Sequence, residues 1–278
     1  MAIKAIALDI DGTLTNDEKR ITPRTREALI AAQEQGIRIV LASGRPVQGL
    51  RALADELDLA AHHGVIVAYN GAVAVDATTD EVLFDQALTV EEARAIIDHM
   101  RTFDVIPWIV RGEELLVEDP YRCMIEHRGA PKNIIKYECD ACDLLIHEVR
   151  DLSAAIDRPV EKVLVAGTDT YLQEHWRAMA EPFADTLACV FTADFYFEYT
   201  AQGVHKGRAL AEALPAVGID LSEVAAFGDA QNDLTMLEAA GVGVAMGNAT
   251  DEVKAVADMV TGTNNKDGIA DALERLLA

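Results

Sequence analysis

No stretch of about 18 uncharged apolar residues occurs in the chain, so a membrane-spanning helix is not expected. Nor does the N-terminus carry a basic segment, an apolar core and a small-residue cleavage site. It runs directly into a strand pattern, which argues against a secretory signal and sets the expectation of a cytoplasmic protein. Basic residues are scarce: 24 Lys and Arg stand against 47 Asp and Glu, a formal net charge of −23. Such a surface repels nucleic acid and anionic lipid, so neither is expected as a partner. The same shortage makes individual Lys and Arg residues, and a divalent metal, informative, because an anionic substrate needs local positive charge.

Cysteine is sparse too. Of Cys123, Cys139, Cys142 and Cys189, only Cys139 and Cys142 form a C-x-x-C, in "YECDACDLL". With no second such pair and no thioredoxin-like context, two ordinary thiols in a reducing compartment are the plainer reading. Half a zinc site or a redox pair stands as the alternative, with His147 nearby in sequence. Repeats, low-complexity tracts and Gly/Ser linkers are absent. What is present is 278 residues, half of them apolar, enough for one large domain or two smaller ones. Monomer and homodimer are both compatible with this composition.

Three short apolar runs, Ile3–Leu8, Ile37–Ala42 and Gly64–Tyr69, are too brief for free-standing helices and too uniform for one-sided strands. They are expected as parallel strands buried on both faces. Helical patterns lie between them, at Thr22–Gln35 and Pro46–Leu57; Thr22 suits an N-cap, Pro23 the first turn and Gly36 the exit. The last quarter repeats this grammar, with "EVAAFGD", "GVGVAM" and "ADMVTG" as strands and Asn232–Ala240, Asp251–Val256 and Gly268–Leu277 as helices. The middle differs. "VAVDATTDEVLF" and "VIPWIVRGEELLV" are expected as hairpins around a helix at Val90–Arg101, and "VEKVLVAG" and "LACVFTADFYFEYT" as strands around a helix at Asp169–Ala180. The expected fold class is α/β. Residues 1–85 and 197–278 form the core, and a mixed α+β domain, 86–196, is inserted between them.

Polar residues gather where the core strands end, the edge at which open parallel sheets bind ligands. Strand one runs into Asp9-Ile10-Asp11-Gly12-Thr13, strand two into Ser43-Gly44-Arg45 and strand three into Asn70-Gly71. "VAAF" runs into Gly228-Asp229, with Asn232 and Asp233 following, and "GVHKG" puts Lys206 at a helix start. Each alone has a structural explanation as a cap, a turn or a solvated charge. Together they mix hard oxygen ligands (Asp9, Asp11, Asp229), which suit Mg²⁺, with donors that suit a phosphate: Ser43, Lys206 and the amide of Gly44 at a helix N-terminus. Two neighbouring carboxylates repel unless a cation stands beside them. A carboxylate can attack phosphorus, and a second can move protons to the leaving alcohol and from water.

These segments resemble the haloacid dehalogenase superfamily, and within it the Cof-like phosphatases with a type-2 cap. The likeness rests on D-x-D-G-T-L at Asp9 to Leu14, S-G-R-P at Ser43 to Pro46, G-V-x-K-G at Gly203 to Gly207 and G-D-x-x-N-D at Gly228 to Asp233. "AYNGA" and "AMGNA" also look like that family. Ala230-Gln231 departs from the commoner wording of the last motif, at spacer positions only. The resemblance implies a Rossmann-like, three-layer parallel-sheet core carrying an inserted α+β cap. It also implies a Mg²⁺-dependent phosphatase working through an aspartyl-phosphate.

By the same resemblance Asp9 is nucleophile and metal ligand, and Asp11 is general acid/base and a metal ligand through its backbone carbonyl. Lys206 and Ser43 hold the phosphoryl group, Asp229 and Asp233 serve the metal, and Asn232 reaches the phosphate side. Gly44, Arg45 and Asn70 lie near the site. The expected substrates are small phosphorylated metabolites: sugar or polyol phosphates, flavin mononucleotide or pyridoxal phosphate. Trp108, Arg111, Tyr121, Arg122, Lys132, His147 and Tyr199 of the inserted domain are candidate substrate contacts, none of which the sequence places. A phosphomutase on the same machinery is the alternative enzyme. A non-catalytic nucleotide-binding module fits less well, because Gly241 and Gly243 do not lie between a strand and a helix.

Overall fold

The computed structural model describes residues 2–127 and 129–278. Two units separate in it, Met1–Asp85 with His205–Ala278, and Gln86–Val204. In the first, the apolar runs become strands β1 (Ala5–Leu8), β2 (Arg38–Ala42) and β3 (Val65–Ala68), joined by helices α1 (Pro23–Glu34) and α2 (Gln48–Glu56). β1 and β3 are buried at every position, as expected of strands covered on both faces. β4 (Val73–Asp76) and β5 (Val82–Asp85) then turn back antiparallel as a hairpin.

The inserted unit runs through α3 (Val90–Met100), β6 (Ile106–Arg111), β7 (Glu114–Val117), β8 (Met124–His127), β9 (Ala130–Asn133), α4 (Ile134–Cys142) and β10 (Leu145–Glu148). α5 (Leu152–Ala155), β11 (Val163–Ala166), α6 (Asp169–Ala180), β12 (Leu187–Ala193) and β13 (Tyr196–Ala201) complete it. Its main sheet has the order β10-β7-β6-β11-β13-β12. Alternation along the strands sends Ile109, Leu116, Val163 and Phe197 to a core shared with α3, α5 and α6, and Trp108, Leu115, Leu164 and Tyr196 to a second core under α4. The expected boundary at 196 is corrected: β13 pairs with β11 and β12, so its residues belong to the inserted unit, which extends to Val204. The segment from β8 to α5 has no counterpart among the sequence expectations, because its elements are short and only weakly patterned.

Back in the first unit, α7 (Lys206–Ala213), β14 (Val224–Gly228), α8 (Leu234–Ala239), β15 (Val242–Ala245), α9 (Asp251–Val256), β16 (Met259–Val260) and α10 (Gly268–Leu276) follow. The eight-stranded order is β16-β15-β14-β1-β2-β3-β4-β5, parallel from β16 to β3. The chain proceeds outward from β1 in one direction through β2 and β3, and from β14 in the other through β15 and β16. The switch point therefore lies between β1 and β14, whose carboxyl ends open the crevice where such sheets take ligands. Among the described residues, no helix is long and apolar enough to cross a membrane.

Candidate active site

Asp9 is the first residue beyond β1, and its amide donates to Phe227 of β14 at 3.0 Å, which sets its side chain at the switch point. Lys206 opens α7 and is fully buried. Its Nζ donates to Asp9 Oδ1 at 2.5 Å and to Asp233 Oδ1 at 2.7 Å. The other oxygen of Asp233 accepts from the amides of Asp229 and Ala230 at 2.9 and 3.0 Å, which folds the chain after β14 into a tight loop. Asp229 Oδ1 accepts from the Thr13 hydroxyl at 2.8 Å. Carboxylate oxygens of Asp9, Asp229 and Asp233 lie within 4.8 Å of one another.

Gly12 makes this approach possible. Its φ is +91°, and a Cβ there would stand 2.5 Å from Asp229 Oδ2, so only glycine lets the two loops meet. Ser43 is buried, its backbone amide donates to Val67 of β3, and its Oγ accepts from the Arg45 amide at 3.3 Å. The Asn70 amide donates to the Ser43 carbonyl at 2.8 Å, and Asn70 has a left-handed backbone with φ +57°. Asn232 Nδ2 donates to Asn70 Oδ1 at 3.1 Å. Gly44 leaves room for that amide, since an added Cβ would come within 3.0 Å of Asn70 Nδ2. One expectation is corrected. α2 begins at Gln48 and residues 44–47 form a bend, so the Gly44 amide is not at the helix N-terminus.

Asp11 sits to one side. Arg45 donates to both its carboxylate oxygens, through Nε at 3.2 Å and Nη2 at 2.9 and 3.0 Å, and Lys19 Nζ donates to Oδ1 at 2.7 Å. Sequence reasoning missed Lys19, Thr13 and Asn248, whose Nδ2 donates to the Gly12 carbonyl at 2.7 Å. Thr13 and Asn248 lie inside segments already singled out, "DGTL" and "AMGNA"; for Lys19 no signal exists in one sequence.

The electrostatics follow from burial. Desolvation, reinforced by Asp233 and Asp229, pushes the Asp9 carboxyl up to about 7 against the pull of Lys206. Burial also raises Asp229, despite the Thr13 hydrogen bond. For Lys206 burial favours loss of the proton, but Asp9 and Asp233 outweigh it and hold the ammonium above the ordinary lysine value. Burial likewise acts to raise Asp11, yet Lys19 and Arg45 leave it below the usual carboxylate range. One buried cation among three carboxylates leaves the cluster short of positive charge.

That shortage fits a divalent ion. Among the described residues, nothing donates a hydrogen bond to Asp9 Oδ2 or Asp229 Oδ2. Hard carboxylate oxygens this close suit Mg²⁺.

The remaining candidates belong to the inserted unit. Trp108 and Tyr199 are core residues of the inserted unit, the Tyr199 hydroxyl donating to Met179 O at 3.0 Å. Arg111 pairs with Glu114 and Asp157, His147 with Glu114, and Arg122 with Asp119. Lys132 lies over the Tyr137 ring, and Tyr121 is exposed. Cys139 and Cys142 are buried in the core under α4, and burial pushes the Cys139 thiol up to about 11, which disfavours the thiolate. Neither belongs to a metal-holding cluster among the described residues.

The family profile described as haloacid dehalogenase-like hydrolase matches residues 6–273. The chain is 32% identical to "putative phosphatase YxeH" of Bacillus subtilis, over 99% of this chain and 98% of that protein. It shares 35% identity and a TM-score of 0.90 with the crystal structure of a haloacid dehalogenase-like hydrolase from Bacteroides thetaiotaomicron, covering 99% of both chains. The HAD subclass IIB sugar phosphatase BT4131 is also similar, at 29% identity and TM-score 0.78, with 98% of both chains covered.

Proposed function

The chain belongs to the haloacid dehalogenase-like hydrolases and is a phosphatase, and from that premise we propose that it hydrolyses small phosphomonoesters, sugar phosphates among them, through an aspartyl-phosphate on Asp9 with Mg²⁺ as cofactor. The observation that carries this reading is the buried Asp9–Lys206–Asp233 chain beside Asp229 at the switch point. It joins a nucleophile, a cation and free ligand oxygens at one place. The likeness to a protein named as a sugar phosphatase supports the substrate class.

In this reading Asp9 and Asp229 would supply oxygens to Mg²⁺, and the backbone carbonyl of Asp11 would be a further ligand. Asp233 holds Lys206 and the 229–230 loop, its own oxygens being occupied. Held by the oxygens of Asp9, Asp11 and Asp229, a divalent ion would supply Lewis-acid stabilisation of the charge that builds on the phosphoryl group. Lys206 neutralises Asp9 enough for an anionic ester to approach, while Ser43 and Asn232 donate to phosphoryl oxygens. A carboxylate oxygen of Asp9 attacks phosphorus and the P–O bond to the leaving group breaks. Arg45 and Lys19 favour the ionised form of Asp11 in the free site; the negative charge of the ester beside it favours the protonated form, and that form gives its proton to the departing alcohol. Water then attacks the acyl phosphate and passes a proton to Asp11; the Asp9–phosphorus link breaks and inorganic phosphate leaves.

A panel of sugar and polyol phosphates assayed for released phosphate tests the proposal. Asp9→Asn is expected to lower kcat by about 10³-fold or more while leaving the circular dichroism spectrum unchanged. EDTA is expected to abolish turnover and Mg²⁺ to restore it. Activity surviving either treatment rejects the corresponding role.

A further inference from the structure

The loop after β1 carries a cation that the reaction scheme leaves unused. Its backbone is closed by Asn16, whose amide donates to the Arg20 carbonyl at 2.9 Å and whose Oδ1 accepts from the amides of Glu18 and Arg20 at 3.0 Å each. The loop is also tied to the C-terminal segment. Asn264 Nδ2 donates to the Thr15 carbonyl, and the Asp17 amide donates to Asn265 Oδ1, both at 3.0 Å. At its tip Lys19 has φ +60°, a left-handed backbone that Gly or Asn adopts far more readily. The turn therefore makes no demand for lysine. Strained backbone at such a place points to a use for the side chain, and this one reaches back to Asp11 Oδ1 at 2.7 Å.

An exposed ion pair adds little to stability, and Lys19 is 64% exposed. What it does is constrain geometry. Arg45 alone holds Asp11 from one side by its guanidinium; the ammonium of Lys19 fixes the carboxylate from a second, independent anchor, on a loop tied to Asn264 and Asn265. We propose that Lys19 is a positioning residue that, with Arg45, holds the Asp11 carboxylate in the orientation from which it serves the leaving-group oxygen. The inference rests on the reading of Asp11 as the proton donor above.

Leaving groups separate this role from a structural one. An alkoxide needs its proton as the P–O bond breaks, whereas p-nitrophenolate departs as a stable anion. The experiment measures kcat/KM on a sugar phosphate and on p-nitrophenyl phosphate for the wild type, Lys19→Ala, Lys19→Arg, Asp11→Asn and the Asp11→Asn/Lys19→Ala double variant, all with Mg²⁺. The quantity read is the ratio between the two substrates, which does not depend on how much of a preparation is folded. Lys19→Ala is expected to lower the sugar-to-nitrophenyl ratio about 10-fold, as a displaced catalytic group does. Lys19→Arg is expected to restore most of it, and in the Asp11→Asn background Lys19→Ala adds nothing. An unchanged ratio in Lys19→Ala, or a fall that persists without the Asp11 carboxylate, overturns the inference while leaving the phosphatase reading intact. If Asp11→Asn itself treats both substrates alike, the proton-donor role falls and this inference with it.

Discussion

At the scale of single residues, Lys206 decides whether the site can exist. Its ammonium is the only cation touching Asp9 and Asp233 among the described residues, and all three side chains are buried. Removing one member of a buried ionic cluster leaves charges without compensation and typically costs about 3–5 kcal/mol. Lys206→Ala is therefore expected to lower the urea unfolding midpoint by that equivalent, as well as to lose turnover; a variant as stable as the wild type contradicts the pairing. Asp9 carries the pH dependence. With its carboxyl raised to about 7 by burial, the protonated, non-nucleophilic form prevails below that pH in the absence of metal. A cation on the carboxylate favours the ionised form, so the acid limb of kcat/KM should move to lower pH as Mg²⁺ is raised. A limb indifferent to Mg²⁺ would separate the metal from Asp9.

At the scale of elements, the site is built from the ends of β1, β2, β3 and β14 and the start of α7. The β1 end and the β14 end meet at Gly12, whose positive φ and contact with Asp229 leave no room for a side chain. Gly12→Ala is expected to cost about 1–2 kcal/mol from the left-handed backbone alone. It should also weaken Mg²⁺ binding, because Asp229 must withdraw; isothermal titration with Mg²⁺ checks this. The strands and their polar ends were legible in sequence because uniformly apolar runs are diagnostic of buried parallel strands. The 124–148 region was not. β8, β9 and β10 have only four residues each, and the edge strand β10 exposes Leu145 and Ile146, so no periodicity marks them.

At the scale of the whole molecule, the dominant property is the charge of −23. An anionic phosphoester approaches a repelling field that salt screens, the Debye length falling from about 30 Å at 0.01 M to about 8 Å at 0.15 M. With Mg²⁺ saturating, kcat/KM for a phosphomonoester is expected to rise with KCl across that range, opposite to the salt dependence of a basic phosphate-binding surface. A fall with salt would mean that local cations such as Lys206, Arg45 and Lys19 outweigh the global field.

Residue type and order alone determined the α/β core and the inserted unit and pointed to Asp9, Ser43, Asn70, Lys206, Asp229, Asn232 and Asp233 as a candidate set, because strand burial and loop chemistry are local properties of the chain. Folding settled the rest. That the inserted unit keeps β13, that Asp233 spends its oxygens on Lys206 and backbone amides, that Gly44 stands clear of α2 and that Lys19 reaches Asp11 are all matters of contact between distant or independently turned segments. A side chain's partner depends on where the opposing segment packs, and no spacing within one segment records that.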